Sequence, residues 1–157
     1  MKYLILLLPF IFLLPSCNQD VLVSETWKFE DGMWLASDKK TMKIAAPDTS
    51  QVFSLDLEVE HNEKYPFQNL YVRTVTTYPS GKEVKSISSL ELSNPDGSWS
   101  GKCSGEGKSC RVLLPLQQHF TFPEAGEYTW SIEQYMRTDT VTGINKIEAL
   151  CRKVIKE

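Results

Sequence analysis

The feature that most constrains the fold is a strict alternation of apolar and polar residues. It is clearest over residues 51–60, where every second side chain is apolar: Phe53, Leu55, Leu57 and Val59. The side chains between them are polar or acidic: Ser54, Asp56, Glu58 and Glu60. Because successive side chains of a β-strand point to opposite faces, this pattern predicts a strand with one face on a core and the other in solvent.

Similar strand signals recur along the chain, separated by turn residues. Residues 70–78 and 83–92 are predicted to form a hairpin around Pro79-Ser80-Gly81-Lys82, and further strands are predicted at residues 111–122, 127–137 and 147–155. Pro115 lacks a backbone donor, which favours an edge position for its strand. No segment has a sustained helical period. We therefore predict an all-β fold, an antiparallel β-sandwich with immunoglobulin-like or jelly-roll topology.

The N-terminus has the organisation of a lipoprotein signal peptide. Lys2 precedes an uncharged apolar run, and the run ends in Leu14-Pro15-Ser16-Cys17. This run is too short to span a bilayer comfortably, since a spanning helix needs about 20 apolar residues. We predict a signal peptide at residues 1–16, with Cys17 becoming the lipidated N-terminus that anchors the protein to a membrane through its acyl chains. A lipidated tether is expected at residues 17–25 and a single β-sandwich domain at 26–157, with ordered structure beginning near Thr26.

Composition and residue spacing argue against several kinds of chemistry. The formal net charge is −3, whereas binding to nucleic acid requires clustered Lys and Arg. The two histidines, His61 and His119, lie at no ligand spacing from other metal-binding residues, and each is predicted to lie at the surface or on an edge strand. We therefore expect no metal, no cofactor, no small-molecule substrate and no enzymatic activity.

The remaining cysteines fit an exported protein. Cys103 and Cys110 flank a six-residue loop and are predicted to form a disulfide in an oxidising compartment. Cys151 lies in an alternating apolar segment and is predicted to be a small buried hydrophobe.

Residues 94–110 are predicted to form the longest loop, because glycines recur through them until Arg111. This loop is our predicted partner-docking element, represented by four residues: Asp96, Gly97, Trp99 and Gly101. Trp99 is its best candidate for an exposed aromatic residue, although we favour a role as a buried anchor that holds the loop down.

Four features occur in an order and spacing that resemble the GldH gliding-motility lipoprotein family of Bacteroidetes. They are the Cys17 motif, the segment Tyr65-Pro66-Phe67-Gln68-Asn69-Leu70-Tyr71-Val72, the segment Asp96-Gly97-Ser98-Trp99-Ser100-Gly101, and Gly126-Glu127-Tyr128 followed by Gln134-Tyr135-Met136-Arg137. The resemblance runs from about Trp27 to Arg152.

This resemblance implies a non-enzymatic envelope lipoprotein that acts with other gliding proteins in machinery linked to type IX secretion. Its partners would be other gliding or secretion envelope proteins. Asn18, rather than aspartate, follows Cys17, which favours the outer membrane; we expect the periplasmic face, with the cell surface as the alternative. The alternative function is a surface glycan-binding β-sandwich, which requires two or more tryptophans or tyrosines on one exposed platform.

Overall fold

The computed structural model describes residues 21–47, 49–105 and 108–154, most of which lie in β-strands. The described part also contains one turn of 3-10 helix, Glu30–Gly32. In chain order the strands are β1 Val21–Lys28, β2 Met33–Leu35, β3 Lys40–Ala46, β4 Phe53–Asn62, β5 Asn69–Thr77, β6 Glu83–Glu91, β7 Lys102–Ser104, β8 Ser109–Phe120, β9 Gly126–Gln134, β10 Thr140–Thr142 and β11 Ile144–Lys153.

The strands form two main antiparallel sheets. The five-stranded sheet has the order β1-β11-β4-β8-β7, the four-stranded sheet has the order β3-β9-β5-β6, and β2 pairs with β10 in a short third sheet. The prediction of an all-β antiparallel sandwich is confirmed. Of the two topologies left open, the alternation of the chain between the main sheets is that of a jelly roll.

The predicted strand at residues 51–60 is β4, which lies between β11 and β8. Its apolar face is buried in the core, with Leu57 and Val59 fully inaccessible. The polar face is not simply solvated, as the sequence had suggested. Asp56 is buried and accepts bonds from Arg152 at 2.7 Å and Gln118 at 2.9 Å, because neighbouring strands cover both sides of β4.

Regular structure begins before Thr26, because β1 starts at Val21, within the segment expected to be the tether. Val21 is in register with Arg152, and Val23 with Cys151, so this segment belongs to the five-stranded sheet. The closing strand also begins earlier than predicted, at Ile144.

The predicted loop at residues 94–110 contains regular structure that the glycine pattern concealed. Lys102–Ser104 forms β7, which pairs with the start of β8. The short strands β2, β3 and β10 were also not predicted from sequence.

Strand register defines two opposite ends of the sandwich. At one end, here called the Val21 end, Val21 of β1 is opposite Arg152 of β11, which is in turn opposite Ser54 of β4. The start of β4, at Phe53, therefore lies at the same end. A series of edge-on and tilted ring contacts connects Phe53 to the β5–β6 turn through three aromatic residues: Phe122, Tyr128 and Tyr78. At the other end, here called the His61 end, His61 lies beneath Tyr65 and Trp99. The strands between the two ends make them roughly 30 Å apart.

Candidate functional site

An exposed, largely apolar groove lies at the His61 end, on the outer face of the four-stranded sheet. Its volume is about 740 Å³. The lining residues come from three separate parts of the chain: Phe67, Tyr71, Ile87, Tyr135, Met136, Arg137 and Thr138. Ile87 is 55% exposed, Tyr135 45% and Tyr71 42%, so this groove gathers large apolar side chains that a core would normally cover.

The chain after β9 is held in place by the side chain of Gln134, which is almost completely buried. Its amide nitrogen donates to the Thr138 carbonyl at 3.0 Å, and its amide oxygen accepts the Met136 N–H at 2.8 Å. The Tyr135 N–H donates to the Tyr71 carbonyl at 2.7 Å. These bonds fix one wall of the groove against β5, so the site is pre-formed.

One arginine lines the groove and a second lies beside it, over the Tyr135 ring. Arg73 forms an ion pair with Glu133, and its guanidinium carbon lies 4.8 Å from the centroid of the Tyr135 ring. The hydrogen bond to Glu133 raises the pKa of Arg73 further above its usual value. Arg137 is exposed and has no ion pair within the part of the chain that the structure describes. The groove therefore combines apolar walls with an unpaired cation at its rim.

The predicted docking loop is packed against the sandwich rather than projecting from it. Trp99 is half-buried, and its ring lies edge-on to His61 with 4.4 Å between centroids. Asp96 accepts bonds from the Ser98 hydroxyl at 2.6 Å and the Ser98 N–H at 2.9 Å, and these bonds lower the pKa of Asp96. Gly97 and Gly101 both have positive φ angles. Trp99 thus has the anchor position, while Asp96 and Gly97 remain exposed at the tip.

Cys103 and Cys110 are joined by a disulfide that closes the hairpin between β7 and β8. The two residues are directly opposite in the strand register, which brings their Cα atoms to 4.0 Å. Cys151 is a free, fully buried thiol, and burial raises its pKa to about 12. Its side chain is therefore part of the core.

The prediction for His61 is wrong, because this residue is fully buried in central strand β4. Neither ring nitrogen has a hydrogen-bond partner among the residues that the structure describes. Burial lowers the pKa of His61, an effect that the adjacent Asn62 backbone partly opposes. Tyr65 and Trp99 cover this ring, and Trp99 comes from a loop distant in sequence, which the local sequence does not reveal. His119 is exposed, as predicted, at a position with φ 53°.

Neither a metal-binding cluster nor a membrane-spanning helix is found among the described residues. No cluster of three or more His, Cys, Asp or Glu side chains there is arranged to hold a metal ion. Within the same ranges, no helix has the length and apolarity needed to span a membrane. The predicted lipidation site, Cys17, lies outside the described residues.

The groove was not predicted as a site, although the sequence contained a signal for it. Two of the segments that carry the family resemblance supply most of its lining: Phe67 and Tyr71 from one, and Tyr135, Met136 and Arg137 from the other. The structure brings these segments together through pairing of β5 with β9. The third segment, which contains Trp99, packs at the same end of the sandwich on the His61 side.

Comparison with solved structures gives only distant likenesses. One is to TmCBM61 in complex with beta-1,4-galactotriose, with 8% identity, a TM-score of 0.33 and coverage of 88% of this chain and 92% of that one. Another is to dimeric latent PorU from Porphyromonas gingivalis, with 10% identity, a TM-score of 0.34 and coverage of 85% of this chain and 13% of that one.

Sequence comparison is more specific. A gliding motility lipoprotein GldH homolog of Christiangramia forsetii is 26% identical over 141 residues, covering 89% of this chain and 85% of the relative. The gliding motility lipoprotein GldH of Flavobacterium johnsoniae is 25% identical over 139 residues, covering 88% of this chain and 84% of the relative. The model of the GldH lipoprotein family matches residues 21–148. The chain therefore belongs to the GldH lipoprotein family.

Proposed function

We propose that this protein is a non-enzymatic outer-membrane lipoprotein that docks a protein partner of the gliding or type IX secretion apparatus. Its acyl chains on Cys17 hold it in the membrane, and the groove lined by Tyr71, Ile87 and Tyr135 receives the partner. The observation that carries the proposal is this exposed apolar groove at the end of the sandwich opposite Val21.

The position of the groove suits a membrane-anchored protein. Even fully extended, the chain from Cys17 to Val21 reaches only about 14 Å. The Val21 end therefore stays close to the bilayer, and the His61 end, with the groove, faces away from it. On the periplasmic face this orientation directs the groove toward other envelope proteins, and surface display is the alternative orientation.

The composition of the groove favours a protein partner. Its walls are aliphatic and aromatic, and exposed apolar patches of this kind mark sites of protein association. Arg137 at the rim supplies a charge that a partner carboxylate would pair with. The exposed tip of the predicted loop, Asp96 and Gly97, lies at the same end of the sandwich and would form a secondary contact.

A glycan-binding role remains the second candidate, because Tyr71 and Tyr135 are both exposed in one groove. Such a pair is the aromatic platform that the glycan hypothesis requires. The guanidinium of Arg73 lies over the Tyr135 ring, however, which leaves less of that ring open for a sugar to stack on. We therefore rank protein docking first.

The proposal is tested by crosslinking and pull-down of the acylated protein from native outer membranes, with bound proteins identified by mass spectrometry. Wild type is compared with Ile87→Ser and Tyr135→Ser. The matched control is Leu113→Ser, which removes an exposed apolar side chain, 49% exposed, from the other sheet. We expect gliding or secretion proteins with wild type and Leu113→Ser, and their loss with the two groove variants.

Equal recovery from all variants would contradict docking at the groove. Retention of the wild type on an immobilised glycan panel, with no protein recovered, would instead move glycan binding to first place. The anchor is tested separately with Cys17→Ser, which we expect to shift the protein from the membrane fraction to the soluble fraction.

A further inference from the structure

Strand β6 forms one edge of the four-stranded sheet, and half of its backbone hydrogen-bonding groups face outward. The hairpin closes with the Tyr78 N–H donating to the Lys82 carbonyl at 2.8 Å, and β6 continues from there in unbroken register with β5. In an antiparallel ladder, hydrogen-bonded pairs alternate with non-bonded pairs. Because Lys82 is in a bonded pair, every second residue after it, and so each even-numbered residue of β6, is hydrogen-bonded to β5. The odd-numbered residues therefore direct N–H and C=O groups to the free edge: Glu83, Lys85, Ile87, Ser89 and Glu91.

The other edges of the two main sheets carry features that oppose pairing with another strand, whereas β6 has few of them. β1 has a register shift near Val21. β7 has only three residues and pairs only with the start of β8, whose remaining length contains Pro115 and two register shifts. β3 is shorter than β6 and carries Lys40 and Lys43. β6 has nine residues, no proline and no register shift, and residues 86–90 are uncharged. Among these edges it is the one best suited to accept a strand.

Among the residues that the structure describes, no strand occupies the space beside β6. A cleft of about 320 Å³ opens between the two sheets there, lined from β6 by Val84 and Ser88, from β8 by Leu116, and at its floor by Trp130. On the outer face, Ile87 of β6 lines the proposed docking groove. A strand added to β6 would place alternate side chains over the cleft and over the groove.

We propose that the partner binds by β-strand addition: an extended segment of a different protein pairs antiparallel with β6. This inference rests on the proposed function, since it names how the docked partner is recognised. Glu91 has no ion pair among the described residues, so the segment carries a basic residue opposite Glu91. It also carries an apolar residue opposite Ile87, whose side chain reaches the groove.

A second copy of this chain does not fit the same edge. Antiparallel pairing of two β6 strands about a two-fold axis perpendicular to the sheet points the two Val21 ends in opposite directions. The short connection from Cys17 to Val21 requires both ends to face one bilayer. The segment therefore comes from another protein.

The first test measures amide hydrogen exchange in the isotopically labelled mature lipoprotein in detergent micelles. The probe is the peptide Arg-Val-Thr-Val-Ile-Val-Glu, which places arginine opposite Glu91 and isoleucine opposite Ile87. We expect the added peptide to slow amide exchange at Lys85, Ile87 and Ser89 by about tenfold or more. Exchange at the even-numbered amides of β6, which already bond to β5, should not change. The control peptide has glutamate in place of arginine and should protect these amides less. Unchanged exchange at the three amides, or protection only at β3 or β8, would overturn the proposal.

The second test uses Ser89→Pro in native outer membranes, with Ser89→Ala as its matched control. Both variants lose the Ser89 hydroxyl bonds to Asn69 and Glu91, but only proline removes the N–H that faces the free edge. Far-UV circular dichroism and urea unfolding check that both remain folded. We expect the crosslinked partner to be lost with Ser89→Pro and kept with Ser89→Ala.

The outcomes separate this inference from the proposed function. Loss of the partner with Tyr135→Ser but not with folded Ser89→Pro would leave groove docking intact and reject strand addition. A partner that survives both substitutions would reject both.

Discussion

Replacement of Gly101 by alanine should destabilise the protein because of a close backbone approach in the loop at the His61 end. Gly101 has φ +81°, and a Cβ atom there would lie 2.2 Å from the carbonyl oxygen of Arg111 and 3.0 Å from the Cα atom of Val112. Both neighbouring atoms belong to the backbone of β8, so they cannot move aside as a flexible side chain would. The loop or the β7–β8 hairpin must shift.

The same loop offers a matched control. Gly97 has φ +85°, and a Cβ atom there would meet nothing within 4 Å. The left-handed conformation alone should cost Gly97→Ala about 1–2 kcal/mol. Gly101→Ala carries that cost plus about 1–3 kcal/mol for overpacking, about 2–5 kcal/mol in all. The difference between the variants corresponds to a shift in melting temperature of roughly 4 °C per kcal/mol.

The assay is urea unfolding of the mature protein, followed by tryptophan fluorescence with the disulfide intact. We expect Gly101→Ala to lose at least about 1 kcal/mol more than Gly97→Ala in the free energy of unfolding. Equal losses would refute the steric argument. Unchanged global stability with a changed Trp99 environment would show that the loop opens locally, and would contradict its role as a packed part of the sandwich.

Three further predictions concern other parts of the His61 end. Burial lowers the pKa of His61 from its ordinary value of 6.5, so the unfolded chain binds more protons than the folded protein, and stability should fall as pH drops below about 6.5. Urea unfolding midpoints measured from pH 8 to 5 should show this loss of stability for wild type and for His119→Asn. The loss should be smaller for His61→Phe. Reduction of the Cys103–Cys110 disulfide removes a constraint on the unfolded chain, and should lower the free energy of unfolding by about 2–3 kcal/mol. Urea unfolding with and without reductant measures this loss, and an unchanged midpoint would contradict it. Gln134→Leu leaves the Met136 N–H and the Thr138 carbonyl without their hydrogen-bond partners, and should lower the free energy of unfolding by about 1–3 kcal/mol. Amide exchange at Met136 should become faster in this variant. Unchanged slow exchange there would contradict the role given to Gln134.

The parts of the fold that sequence predicted well are those with local signals. Alternation identified β4 and β9, and turn residues marked the β5–β6 hairpin, because period-two burial and turn geometry depend on adjacent residues. β1 was placed too late because its outward face is exposed and its partner, β11, lies at the other end of the chain. Three-residue strands such as β2 and β10 are too short to show a period.

The candidate site was harder to predict because no single segment forms it. Tyr71 and Tyr135 are far apart in sequence and meet only through pairing of β5 with β9. His61 looked like an ordinary polar residue of a strand, and its burial depends on Trp99, which another loop supplies. The alternation predicted a solvated Asp56, but the side chains of Arg152 and Gln118 on neighbouring strands donate hydrogen bonds to it. Contacts between distant segments are invisible to periodicity.

The most direct test of protein docking at the groove is photo-crosslinking in the native host. A photoreactive amino acid is placed at Tyr135 in the full chain, and the control position is Lys43, which is exposed on the outer face of the same sheet but nearer the Val21 end. We predict a discrete adduct with a gliding or secretion envelope protein from position 135 and none from position 43. The absence of a protein adduct at position 135, or the same adducts from both positions, would contradict the account.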